Sequence, residues 1–461
     1  MEYKESDTTE KVQDFKQVDD TPVVRVNKSK IISEILESEA CSNWDSVIDK
    51  LKLLLSLDVQ NEYAINRDDC RLLIRLASNM SVVPVQNLSL ELLAKYIAQY
   101  RTPAEWFVEF GGLQIFHQKL EDANCVIPCT AIFAAIASTE VGFKACVEMN
   151  IFDDLISLGL YFTDNSQDEN FSIVILNLLT IYHLLLHKLS KFENHSEILQ
   201  NLIIIFKKLF DLNFDQIVQY FPLLLKTIDT TEEDPCSVLI DSELIDLVFN
   251  GPSIVPPHLR PTMFQSIEQL TALSYDGWND IILEYIQFST IMDFIKTLEN
   301  NHEEYLTCFR IAANLAYIDQ SSIQYILIEE NTKFFITILE KAVSKAKVYT
   351  VSAIFNVIHH GNRNQLSLLF ATSLPLQCLD VLDLVNDDKL LQLLDSLYRA
   401  LDSIGDIITH DKYYEEFREQ LPETLQEIQD RLELSDKPSD EKICLFITSM
   451  LSDLYPESLL E

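Results

Sequence analysis

Cys125 and Cys129 stand four residues apart, and His359 and His360 are adjacent; at these two places the sequence gathers side chains able to hold a metal. A structural zinc site needs four nitrogen or sulfur ligands, usually as two closely spaced pairs. Neither place has a second pair beside it, and adjacent residues point to different faces of a helix. The other cysteines (Cys41, Cys70, Cys146, Cys236, Cys308, Cys378 and Cys444) are scattered, and no Cys-x-x-Cys occurs. Several lie in apolar runs such as Ala145-Cys146-Val147, the setting of reduced core thiols in a cytosolic or nuclear protein. The sequence also has no Gly-rich phosphate loop, no His-Glu-x-x-His and no Gly-x-Ser-x-Gly. The reading is therefore no enzyme, no metal and no cofactor. What is left is the chemistry of binding.

The elements that would carry a binding surface are helices. Hydrophobic residues make up 48% of the 461, enough to bury a large core. The eight glycines are too few for a Rossmann sheet, a propeller or a sandwich, each of which needs many tight turns. Apolar residues recur at helical spacing, as in Ile31, Ile32, Ile35 and Leu36, then Val47, Leu51, Leu54 and Leu55. Met1 to Asp20 holds seven acids and three lysines, so residues 1–28 are expected to form a flexible acidic tail. Beyond it the polar breaks are short: Asp58 to Asn61, Thr163 to Asn170, Thr230 to Pro235, Gly251 to Pro257 and Ser435 to Asp440. None is long enough for a flexible linker, so residues 29–461 read as one continuous array. The most apolar stretch, Leu202 to Phe210, is interrupted by Lys207 and Lys208, and no membrane span is expected.

An array should have a period, and this one does. Ala272, Asn314 and Asn356 are 42 apart in succession, each inside a helix of small and apolar residues. Each such helix is followed by an apolar helix with an aliphatic pair: Ile281-Ile282, Ile326-Leu327 or Leu368-Leu369. Upstream, Ala135 and Asn177 are again 42 apart, and Gly277 and Gly361 are two periods apart. The register slips by 11 residues between the two blocks, a slip the Pro-rich break at Gly251 to Pro261 would hold. A period near 42 belongs to armadillo or HEAT repeats. The expected fold is all-α, a right-handed superhelical solenoid of about nine or ten repeats. Ala312, Ala313 and Ala353 would let its helices approach closely.

At this point the chain resembles importin alpha. Leu273-Ser274-Tyr275-Asp276-Gly277, Arg310-Ile-Ala-Ala-Asn314-Leu315, and Ala353-Ile-Phe-Asn356 with Gly361 and Gln365 are similar to three successive repeats of that family. Ala131 to Thr139 with Lys144 to Val147, and Glu109 to Leu113, are similar to an earlier repeat and the turn before it. Lys30 to Leu57 looks like the first helices and Lys442 to Tyr455 like the closing one. In that family, a Trp and an Asn four residues later face a concave groove that holds an extended basic segment. The resemblance implies peptide-binding roles for Asn177, Arg310, Asn314 and Asn356. At the Trp positions, however, this chain has Ala131, Ile173, Glu268 and Ser352. Trp44, Trp106 and Trp278 fall elsewhere, and the first 30 residues have six basic side chains without a cluster.

The resemblance thus implies an adaptor holding a basic cargo segment for nuclear import, in the cytoplasm or nucleus. The alternative is a general armadillo scaffold or regulatory subunit that no longer binds import signals. The formal net charge of −37 predicts basic protein partners and neither nucleic acid nor anionic membrane. Importin beta is not expected to bind, because the basic N-terminal cluster is missing.

Overall fold

The computed structural model describes residues 28–57, 65–78, 82–99, 101–298, 303–385, 387–404, 411–433 and 437–455. Of the tail expected over residues 1–28, 1–27 lie outside the described residues and Lys28 instead opens the first helix; the polar break at Asp58 to Asn61 also lies outside the described residues. Among the described residues there are 26 α-helices and no strand; the protein is all-α.

The apolar stripes do what their spacing demands. Ile31 and Ile35 are buried in Lys28–Ala40, and Val47, Leu51 and Leu54 in Trp44–Ser56. Leu36 instead turns outward. Eight helices spaced along the chain are labelled in order: α1 (Val83–Gln99), α2 (Val126–Ala137), α3 (Phe171–Lys188), α4 (Phe221–Thr231), α5 (Arg260–Ala272), α6 (Glu303–Ile318), α7 (Ser344–His360) and α8 (Asp387–Ile404).

The chain divides into two compact units. The first takes the described residues up to Leu155 together with Glu169–Ile181, and the second takes Ile156–Asp168 and those from Tyr182 onward. In the first, α1 packs on α2. In the second, α4, α5, α6, α7 and α8 each pack on the next. Ala312, Ala313 and Ala353 are buried, α6 packs on α7, and the Ala313 carbonyl accepts a hydrogen bond from Asn356 of α7.

Polar links between successive helices repeat the period. Arg67 reaches Glu109, and Lys119 Nζ reaches the Ala77 carbonyl, across 42 residues. Thr227 Oγ1 donates to the Leu186 carbonyl across 41, and Arg363 to that of Ile404 across 41. Asn314 to Thr271, Asn356 to Ala313 and His360 to Tyr317 each span 43.

Several expectations need correction. Gly251 does not end its helix: Leu244–Ile254 runs through Gly251 and Pro252, and a 3-10 turn, Pro257–Leu259, leads into α5. The closing helix begins at Pro438, not Lys442, because proline's fixed φ suits the first turn of a helix. Gly277 and Gly361, equivalent by spacing, are glycines for different reasons. Gly277 has φ of 77° at the start of Trp278–Tyr285. Gly361 has φ of −67°, but a Cβ there would lie 2.5 Å from Leu366 and 2.7 Å from Ile323. Finally, the expectation of no membrane span, drawn from Leu202 to Phe210, passed over a longer apolar helix. Phe171–Lys191 (α3 with its 3-10 extension) is 21 residues, long and apolar enough to cross a membrane by length and composition. Half of its most apolar window is buried against the rest of the protein, with Tyr182 and Leu185 wholly enclosed.

Candidate functional site

The four residues singled out in the sequence all sit on the recurring helices, Asn177 in the first unit and Arg310, Asn314 and Asn356 in the second. Their side chains are turned to the neighbouring helix. Asn177 Nδ2 donates to Thr130 Oγ1 at 3.0 Å and to the Ile127 carbonyl at 3.4 Å. Asn314 Nδ2 repeats the arrangement on Thr271 Oγ1 at 3.2 Å and the Glu268 carbonyl at 3.4 Å. Each threonine hydroxyl donates back along its own helix, Thr130 to the Val126 or Ile127 carbonyl and Thr271 to that of Glu268. That back-bond occupies the hydroxyl proton and leaves its lone pairs free to accept from the asparagine. One period later Ala313 stands in the threonine position, and Asn356 Nδ2 donates to the Ala313 carbonyl at 2.8 Å. Asn356 is 8% exposed, and its Oδ1 is buried with no hydrogen-bond donor.

Arg310 is also engaged inside the fold. Its guanidinium pairs with Glu268 at 2.8 Å, lies 3.3 Å from Thr307 Oγ1 and faces the Tyr349 ring at 5.9 Å. Thus Glu268, at one of the positions that the resemblance gives to tryptophan, is held in an ion pair with Arg310. Ser352 at the next such position is buried, whereas Ile173 is half exposed. Partial burial pushes the Glu268 carboxyl above its ordinary range, and Arg310 and Lys389 oppose that shift. Trp278 serves the core: buried, it donates its indole N–H to the Leu270 carbonyl at 2.9 Å.

The second unit has a cleft of about 420 Å³ where α5, α6, α7 and α8 succeed one another. Asn314 and Asn356 both contribute to its wall, with Ser274, Asn279, Tyr317 and Gln392. Lys389, exposed on α8, is the one charged residue of the lining among the described residues. Tyr317 was legible in principle, since it lies one turn beyond Asn314 on the same face. Lys389 was not: it is 33 residues beyond Asn356 and breaks the 42-residue register.

His359 and His360 do not diverge as adjacent helical residues usually do. At the end of α7 their rings meet at 5.2 Å and both turn to Tyr317, His359 by stacking on its ring at 5.8 Å and His360 by contact with its carbonyl. Burial, then the neighbouring His360 and Arg399, hold His359 below the ordinary histidine range. Cys125 and Cys129 are both buried; Cys125 Sγ lies 3.3 Å from Gln86 Oε1. Burial pushes the Cys125 thiol up to about 11 and the Cys70 thiol to about 12.

No protein-family model matches the chain, and no curated protein matches it. Among solved structures, it is similar to two engineered proteins crystallised by the Northeast Structural Genomics Consortium. One is 13% identical with a TM-score of 0.45, over 84% of this chain and 99% of that one. The other is 14% identical with a TM-score of 0.26, over 64% of this chain and 98% of that one.

Proposed function

We propose that this chain is a non-enzymatic protein-binding scaffold, an armadillo/HEAT-type right-handed solenoid that holds an extended segment of a partner across α5 to α8. The observation that carries the reading is the cleft, to which four successive helices contribute polar side chains. Extended chains present main-chain donors and acceptors at regular intervals, and a row of amides and hydroxyls on stacked helices complements them. The 41- to 43-residue links support the solenoid, since each of them ties a helix to one about a period away.

A second reading, the import adaptor with a basic cargo segment, draws on the net charge of −37 and the asparagine register. The internal use of the asparagine amides and of Arg310, and a lysine in the cleft, favour the general scaffold over it. Either form would work in the cytoplasm or nucleus.

The test is cross-linked affinity purification of the full chain and of its Ala272→Trp variant, which places an indole at the cleft mouth. Ala272 is exposed at the end of α5, so the variant should keep its helical content and melting behaviour. Partners present with the wild type and lost from the variant support the cleft as a binding site. An unchanged set of partners counts against it. Recovery of importin beta and basic nuclear proteins would favour the adaptor.

A further inference from the structure

The cleft has the opposite charge to the molecule that contains it. Acidic residues outnumber basic ones 72 to 35, yet among the described residues no carboxylate lines the cleft and its one charged side chain is Lys389. Lys389 makes no ion pair or hydrogen bond among the described residues. Arg310 and Glu268, which are not among the lining residues, pair with each other at 2.8 Å, and Lys389 also acts on the Glu268 carboxyl through space. The remaining described lining is neutral, part polar and part apolar, and in Asn356 it holds a residue whose buried acceptor, Oδ1, lacks a donor.

We infer that the cleft selects an extended peptide segment bearing an acidic side chain, with that carboxylate at Lys389 and the peptide main chain along the amides of α6 and α7. This rests on the scaffold reading and gives the partner's chemistry. A buried acceptor without a donor is costly, and a main-chain N–H is the donor an extended segment carries. Lysine presents a compact ammonium with three donors, suited to a single carboxylate, and a basic side chain at the same place would be repelled. The field of the whole molecule opposes an acidic peptide only at long range. At physiological salt it is screened beyond about 8 Å, so the contact at Lys389 decides. Four helices at about 10 Å spacing span about 30 Å, the reach of about nine extended residues.

The experiment is fluorescence anisotropy of the full chain at physiological salt with labelled peptides of about nine residues. Each has a neutral polar frame with Glu, Gln or Lys scanned through every position. The Glu series should hold a binder roughly three- to fivefold tighter than its Gln counterpart, the range of a solvent-accessible ion pair. Lys389→Met should make the Glu and Gln peptides equal, and Lys389→Glu should put the Lys peptide first. Lys389 is exposed, so neither change should disturb folding, which circular dichroism confirms. A wild type that prefers the Lys peptide overturns the inference, as does a Glu preference that survives Lys389→Glu, or no binding by any peptide. The Ala272→Trp comparison separates the two readings. If partners are still lost from that variant, the scaffold stands and only the acidic assignment falls. If none is lost, both fall.

Discussion

Asn314 on α6 donates its side-chain amide to the hydroxyl of Thr271 on α5, 43 residues earlier and 3.2 Å away. The same pair of groups joins Asn177 to Thr130 at 3.0 Å in the other unit. An asparagine whose register suggests a ligand contact is thus part of the tie between consecutive helices. A half-exposed amide of this kind can still offer its oxygen to a ligand while its N–H groups stay in the fold.

Because the tie is a neutral hydrogen bond at a half-buried site, Asn314→Ala should lower stability by about 1 kcal/mol. Combined with Thr271→Val in a double-mutant cycle, the coupling should be roughly 0.5–1.5 kcal/mol. Urea denaturation of the four proteins measures it. Strictly additive effects would mean the bond contributes nothing to stability.

The two equivalent glycines should respond differently to the same substitutions. At Gly277 the backbone is left-handed with open space around the missing Cβ, so Gly277→Ala should cost about 1–2 kcal/mol and Gly277→Asn less. At Gly361 the conflict is with Leu366 and Ile323, so Gly361→Ala should cost about 1–3 kcal/mol and the larger Asn more. Thermal melts of the four variants give the order.

Stability should also depend on pH through His359. Its folded pKa lies below the ordinary 6.5, so the unfolded chain takes up the proton first. The contribution is therefore present above 6.5 and is lost as pH falls through the lower, folded value. Melting temperatures measured down from neutrality should fall less steeply in His359→Gln than in the wild type. Parallel profiles would remove His359 as a source of the pH dependence.

Thiol labelling should sort the cysteines by burial. Cys41 is exposed, whereas Cys70, Cys129, Cys146, Cys308 and Cys378 are buried with their thiols held protonated by that burial. At about pH 8, iodoacetamide should modify Cys41 in the native protein and these five only after unfolding. Mass spectrometry of peptides from both states reads this directly. Rapid native labelling of Cys146 or Cys378 would show that their helices open readily.

Helical class, the 42-residue spacing and the placing of small residues at helix contacts could all be read from the chain. Each depends on which face of a helix a residue occupies, and periodicity reports faces. Ala312, Ala313 and Ala353, expected on inner faces on that basis, are buried. Even so, the spacing that pairs Gly277 with Gly361 gave no hint that one answers to backbone conformation and the other to a neighbour's side chain. The direction of a side chain's hydrogen bond depends on what stands opposite it on another helix. Thr130 and Thr271 accept the asparagine amides, while Ala313 leaves Asn356 to the main chain and its Oδ1 without a donor. The cleft depended on tertiary structure most of all. Lys389 obeys no period with Asn314 and Asn356, and only the packing of α8 on α7 brings it to their side. One-dimensional spacing reports which face of a helix a residue occupies, and contacts between helices decide which groups on that face stay free to bind.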